Sequence, residues 1–202
     1  GEGKTVTSTN LALSYATSGQ KTLLIDFDLR RPRQARVFKK GKDDFNSLPY
    51  VLSANDPAYF EYLPTPSGYA NLDLVLSRES AEINPAALMA SGIVRTFLDW
   101  ARERYDRVII DSPPFGIIGD AVALSTLADS VMIMCCPDRT NYGAINHAVR
   151  HLTEAGARVI GVLVNDVDFN RRGFFHSSSA HYRYTYGYGQ PYARQARAGD
   201  ED

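Results

Sequence analysis

Two short runs, Thr22-Leu23-Leu24-Ile25-Asp26 and Val108-Ile109-Ile110-Asp111, are almost wholly apolar until each ends in an aspartate. A strand points successive side chains to opposite faces, so a run without a polar face belongs in a sheet that is covered on both sides. Residues 72–76, 130–136 and 158–164 read as further strands. Helical patterns separate them. One runs from Thr5 to Ser18 and stops at Gly19; another opens at Asn84-Pro85 and continues to Tyr105 with a break near Ser91-Gly92. Residues 119–128 and 142–155 are helical as well, the second ending at Gly156, while residues 39–71 are rich in Asn, Asp, Pro, Ser and Tyr and predict short helices and loops. The alternation predicts an α/β fold with a mostly parallel sheet and helices on both faces. Ligands of such sheets sit at the carboxyl ends of the strands, where Asp26, Asp28, Asp111 and Asn165 fall.

Gly1-Glu2-Gly3-Lys4-Thr5 precedes the first helix. Its glycines let backbone N–H groups approach phosphate, Lys4 supplies a point cation for the outer phosphates, and Thr5 offers a hydroxyl to Mg²⁺. The Asp-ended strands add the carboxylates that such a metal needs. Together these runs predict a phosphate-loop NTPase site for ATP and Mg²⁺. Its nucleotide contacts include Gly1, Glu2, Gly3, Lys4, Thr5 and Val6, and its metal set is Thr5, Asp26 and Asp111. The full pattern G-x-x-x-x-G-K-[ST] and the strand leading into it would begin upstream of Gly1, so the sequence reads as a trimmed domain.

A chain of 202 residues with 44% hydrophobic content buries one substantial core, and a net charge of −1 gives no reason to expect nucleic acid. Cys135 and Cys136 are neighbours at the end of an apolar run and read as reduced, buried thiols of a cytoplasmic protein. No run approaches the roughly 20 apolar residues that span a bilayer, and no signal peptide is present, which predicts a soluble chain. Composition changes after Asn170. Residues 171–199 hold five arginines, no acidic residue, a serine run and the cluster Tyr182, Tyr184, Tyr186, Tyr188 and Tyr192. The expected division is therefore an ATP-binding domain over 1–169 and a flexible tail over 170–202. Beside a nucleotide site, the tyrosines read as phosphoacceptors carried by their own kinase.

These residues resemble the bacterial tyrosine kinases that control capsular and exopolysaccharide synthesis, a deviant-Walker branch of the phosphate-loop ATPases. The resemblance rests on Gly-Glu-Gly-Lys-Thr followed by Asn10-Leu11-Ala12, on Asp26-x-Asp28-x-Arg30-Arg31-Pro32, and on Asn84-Pro85-Ala86-Ala87-Leu88. Asp111-Ser112-Pro113-Pro114 and Gly161-Val162-Leu163-Val164-Asn165 complete it. It implies that Lys4 contacts the outer phosphates, that Thr5 and Asp111 hold or orient Mg²⁺, and that Asp26 and Asp28 lie beside the metal and the γ-phosphate. It also implies that Asn165 faces adenine, that Lys4, Asp26, Asp28 and Asp111 form the catalytic set, and that Asp28 acts as base or merely orients the phenol. The implied partners are further copies of the chain in a ring, a transmembrane polysaccharide co-polymerase that activates the kinase, fused upstream or separate, and a cognate tyrosine phosphatase. The implied location is the cytoplasmic face of the cell membrane. Phosphorylating all five tyrosines would add roughly −8 to −10 charges and overwhelm the tail arginines, which is expected to loosen the assembly.

Other readings stay open on the sequence. A spatial-organiser ATPase of the septum-site or partitioning type shares these motifs, as does a scaffold that uses ATP only to hold a ring together. Arg30 follows the kinase pattern, whereas Arg31, Arg33 and Arg36 fit a solvated face equally well. Asp120 either senses the γ-phosphate or caps the following helix. His147 and His151 have the i, i+4 spacing of half a metal site but read as a solvent-facing pair.

Overall fold

The computed structural model describes residues 2–115, 119–137 and 139–167. Helix α1 (Lys4–Thr17) follows the phosphate loop and leads to strand β1 (Thr22–Asp26). The next stretch contains α2 (Gln34–Val37), a 3₁₀ turn at Lys42–Asp44, α3 (Leu48–Ser53), a 3₁₀ helix at Pro57–Tyr62 and the two-residue strand β2 (Thr65–Pro66). Then come β3 (Leu72–Val75), α4 (Pro85–Ala90), α5 (Ile93–Arg104), β4 (Arg107–Asp111), α6 (Asp120–Ser125), β5 (Val131–Cys135), α7 (Tyr142–Glu154) and β6 (Val159–Val164).

Local chemistry sets the boundaries. Gly19 takes φ +88° and donates its N–H to the Ala16 carbonyl, closing α1 with the left-handed residue that such an end needs. Asn84 accepts a hydrogen bond from the Ala86 N–H at 3.0 Å while Pro85 occupies the first turn of α4. Asn141 caps α7 in the same way through the Ala144 N–H at 2.8 Å. The apolar residues Ile93, Val94, Phe97, Leu98 and Ala101 form the buried stripe of α5.

The described strands form two sheets. The larger has the order β2-β3-β1-β4, with β1 parallel to both β3 and β4, and β2 antiparallel on the edge; β5 and β6 pair in parallel as a second sheet. The mostly parallel sheet expected from the sequence is present, with β2–β3 the one antiparallel pairing among the described strands. Periodicity reports the faces of each strand and says nothing of which edges meet, and among the described residues β4 and β5 do not pair with each other. Every residue of β1 is buried. Leu23 and Ile25 pack with Phe97, Leu98, Phe60 and Val94 on one face, and Leu24 packs with Ala12, Ala16, Leu72 and Leu74 on the other. Small side chains on α1 let that helix approach the sheet closely, which offsets the poor helix propensity of its early threonines. Arg78 lies over the Phe45 ring at 4.7 Å and hydrogen-bonds the Phe45 carbonyl, tying the segment before α3 to the end of β3. All of these elements belong to a compact unit spanning residues 1–166. The tail over 170–202 and its tyrosines lie outside the described residues.

Candidate active site

The register of the central sheet assembles the site. β1 and β4 are parallel neighbours with Asp26 opposite Asp111, so two strands far apart in sequence deliver their terminal carboxylates side by side. Both are buried, Asp26 completely. Burial pushes the Asp26 carboxyl up to about 7; amide donors from Gln34 and Arg33 oppose this, while the nearby Asp111 and Asp28 reinforce it. Burial likewise raises Asp111, against the opposing effects of the Thr5 and Gln34 side chains and the Lys4 charge.

The two carboxylates are used differently. Asp26 holds its own loop: Oδ2 accepts the N–H groups of Arg33 and Gln34, each at 2.9 Å, and Oδ1 accepts that of Asp28 at 3.3 Å. Its carbonyl accepts the Ser77 hydroxyl at 2.6 Å. Asp111 instead faces α1: its Oδ2 accepts the Gln34 side-chain amide at 2.9 Å, and the Thr5 side chain lies close enough to favour its charged form. Asp28 is half-buried and accepts the Arg31 N–H at 3.1 Å.

Gly3 caps α1 in the left-handed conformation, at φ +91°. Asn165, one residue past β6, donates from Nδ2 to the Glu2 carbonyl at 3.0 Å and so fastens the phosphate loop to the second sheet. The Lys4 ammonium lies 3.0 Å from a Glu2 carboxylate oxygen. Val6 is exposed on the first turn of α1. Gly1 lies outside the described residues.

The donor set fits a magnesium nucleotide. A 14-residue helix presents its N-terminus behind a left-handed glycine, a lysine stands beside it, and a threonine side chain lies beside an aspartate. Hydroxyl and carboxylate oxygens are the hard ligands that Mg²⁺ prefers. A surface cavity of about 490 Å³ lined by Lys42, Asp43, Tyr62 and Arg78 shares no residue with this cluster, so concavity alone does not locate the site.

Sequence reasoning missed two parts of the arrangement. Gln34 is fully buried between α1 and the two aspartates; the only signal was a glutamine soon after the Asp26-x-Asp28 strand, a residue type that carries no charge to attract notice. Asp120 neither caps α6, whose cap is Gly119, nor stands free: buried in the first turn, it accepts Arg30 Nη2 at 3.0 Å and Nε at 3.2 Å. Cys135 and Cys136 are free and buried, and His147 and His151 are exposed on α7.

A parallel α/β core that carries a phosphate loop on one helix and paired aspartates on adjacent strand ends defines a phosphate-loop ATPase. The AAA domain family matches residues 1–160. Within that class the chain belongs to the bacterial tyrosine kinases of capsule and exopolysaccharide synthesis. It is 34% identical over 170 residues to the tyrosine-protein kinase CpsD of Streptococcus pneumoniae serotype 4, covering 84% of this chain and 73% of CpsD. It is 30% identical over 198 residues to a protein named as a putative kinase, EpsB of Ralstonia solanacearum, covering 96% of this chain and 24% of that longer protein. The crystal structure of the VpsO kinase domain superimposes with a TM-score of 0.73 at 32% identity, covering 83% of this chain and 80% of that one. A likeness of fold alone, at 20% identity and TM-score 0.71, extends to the septum-site-determining protein MinD of Pyrococcus horikoshii, solved with Mg-ADP; it covers 90% of this chain and 72% of that one. Among the described residues no helix is long and apolar enough to cross a membrane.

Proposed function

We propose that this chain transfers the γ-phosphoryl group of ATP to tyrosines in the tail of a second copy, at Tyr182, Tyr184, Tyr186, Tyr188 and Tyr192, and thereby regulates polysaccharide polymerisation and export. Residues 1–169 are the kinase domain in this reading and 170–202 the acceptor tail. The observation that carries it is the pairing of Asp26 with Asp111 across β1 and β4, with Asp111 beside the threonine and lysine of the phosphate loop. Kinship with CpsD supports tyrosine as the acceptor.

Lys4 leaves Glu2 and contacts the outer phosphates. Thr5 and Asp111 would hold or orient Mg²⁺, which would supply charge neutralisation for phosphoryl transfer. Asp28 and Asp26 lie beside the γ-phosphate, and Asn165, next to the loop, faces adenine. The tyrosine oxygen forms a bond to the γ-phosphorus as the bond to the bridging oxygen breaks and ADP leaves. Asp28 accepts the phenolic proton or orients the phenol for its loss to water, since a phenol of pKa about 10 needs help at neutral pH. Positioning and charge neutralisation supply most of the acceleration.

The partners in this reading are further copies in a ring, a transmembrane co-polymerase and a phosphatase that resets the tail, all at the cytoplasmic face of the membrane. The much longer EpsB supports a kinase span carried within a larger protein. The test is phosphopeptide mass spectrometry after incubation with Mg-ATP, on the chain extended upstream through a complete phosphate loop and supplied with an activating membrane segment, beside Lys4→Met. Tail phosphotyrosine that disappears in the variant is the expected result. ATP binding with an unmodified tail would shift the reading to an organiser ATPase, which the MinD-like fold favours, or to a nucleotide-dependent scaffold.

A further inference from the structure

Gln34 is uncharged, fully buried, and bonded at both ends of its side-chain amide. Its Oε1 accepts the Thr9 hydroxyl at 2.9 Å. Its Nε2 lies 2.9 Å from Asp111 Oδ2 and 3.0 Å from Ser8 Oγ, with the Thr5 carbonyl at 3.4 Å. Its backbone N–H donates to Asp26 Oδ2 at 2.9 Å. One residue therefore touches the first turns of α1, the end of β1 and the end of β4.

The amide can adopt only one orientation. Turned over, its oxygen would face the Asp111 carboxylate at 2.9 Å, acceptor against acceptor. Gln34 thus holds Asp111 Oδ2 and fixes the orientation of the carboxylate that any cation would meet. A lysine or arginine in its place would also hold the carboxylate but would cancel the charge a cation needs. A neutral donor holds the carboxylate and preserves its charge.

We propose that Gln34 is a positioning residue for the magnesium nucleotide: it fixes the Asp111 carboxylate relative to the first turn of α1, so that Thr5 and Asp111 present their oxygens to the metal in one geometry. This rests on the nucleotide reading of the site. It assigns to a residue that touches neither phosphate nor tyrosine the task of making nucleotide binding depend on the metal.

The variant Gln34→Met keeps the length and apolar bulk of the side chain and removes both polar ends. Thr9 and Ser8 keep an acceptor, because each hydroxyl also reaches the Thr5 carbonyl, at 2.7 Å and 3.0 Å. Asp111 Oδ2 loses its donor. The chain extended upstream through a complete phosphate loop, wild type and variant, is titrated with ADP by calorimetry in the presence of chelator and then at rising Mg²⁺. Outer-shell partners of this kind alter metal affinity about 10- to 100-fold. Gln34→Met is expected to raise the Mg²⁺ concentration needed to tighten ADP binding by about tenfold or more, with metal-free ADP affinity unchanged because Lys4 and the loop amides are intact. Gln34→Glu, which sets a second carboxylate against Asp111, is expected to do worse. Thr9→Val unpins the amide but leaves Gln34 in place; it is expected to shift the Mg²⁺ dependence in the same direction by less, and it carries the test if Gln34→Met does not fold. An unchanged Mg²⁺ requirement in the folded variants would overturn the role of Gln34. A wild-type chain whose ADP binding ignores Mg²⁺ would overturn the nucleotide reading beneath it.

Discussion

Replacing Gly3 with alanine tests the packing of the phosphate loop against the second sheet. At φ +91° a Cβ on residue 3 would clash with Asn165 Nδ2 and lie 3.2 Å from its Cγ, so the Asn165 side chain must turn away. That movement gives up the bond to the Glu2 carbonyl, worth about 1 kcal/mol. Holding alanine in the left-handed region costs about 1–2 kcal/mol more. Gly3→Ala is therefore expected to destabilise the chain by about 2–3 kcal/mol, and Asn165→Ala by about 1 kcal/mol. The double variant loses the amide bond once and has no clash, so it too should cost about 2–3 kcal/mol, roughly 1 kcal/mol less than the sum of the single costs. Urea denaturation of the four proteins, read with a common slope, measures this. Single costs that add to within about 0.3–0.5 kcal/mol would mean that residues 3 and 165 do not share the contact, and the argument would fail.

Three further outcomes follow from the site. Glu2→Gln removes the carboxylate that phosphate must displace from Lys4, and because that pair is partly exposed the gain in metal-free ADP affinity is expected to be about two- to fivefold, measurable by calorimetry. Arg30→Ala strands the buried Asp120 carboxylate, whereas Asp120→Asn leaves a half-exposed guanidinium that water can solvate; thermal melts should show the arginine variant as clearly the less stable. Asp26 holds a proton in the fold up to about pH 7, well above its ordinary 3.8, so its contribution to stability is present at low pH and is lost as pH rises through 7. The stability of the ligand-free chain relative to Asp26→Asn should accordingly fall between about pH 4 and pH 7 and level off above in denaturant titrations, and a pH-independent difference would contradict the burial argument.

The elements were legible where apolar pattern and punctuation agreed. Thr22–Asp26 is a strand over the expected residues, Asn84-Pro85 opens a helix, and Ser91-Gly92 separates two. The aspartates could be singled out because each ends an apolar run. Their adjacency required the strand order β3-β1-β4, which no local window contains. Antiparallel β2 was hidden because two residues have no period. Gln34 and the partnership of Arg30 with Asp120 were hidden for another reason: their bonds span 77 and 90 positions, and nothing near either partner in the chain announces the other. Asn165 was placed at a strand end, but its bond to the loop across 163 positions was equally out of view.

The three amides that converge on Asp26 act on the same acceptor group. The N–H groups of Asp28, Arg33 and Gln34 stay bonded while that carboxylate remains in place, and all are released when it swings out. Their protons should consequently exchange with solvent deuterium as one cooperative unit, with a common opening free energy. The exchange rate at any one of them reports the openness of the entire turn between β1 and α2 without ligand, label or turnover.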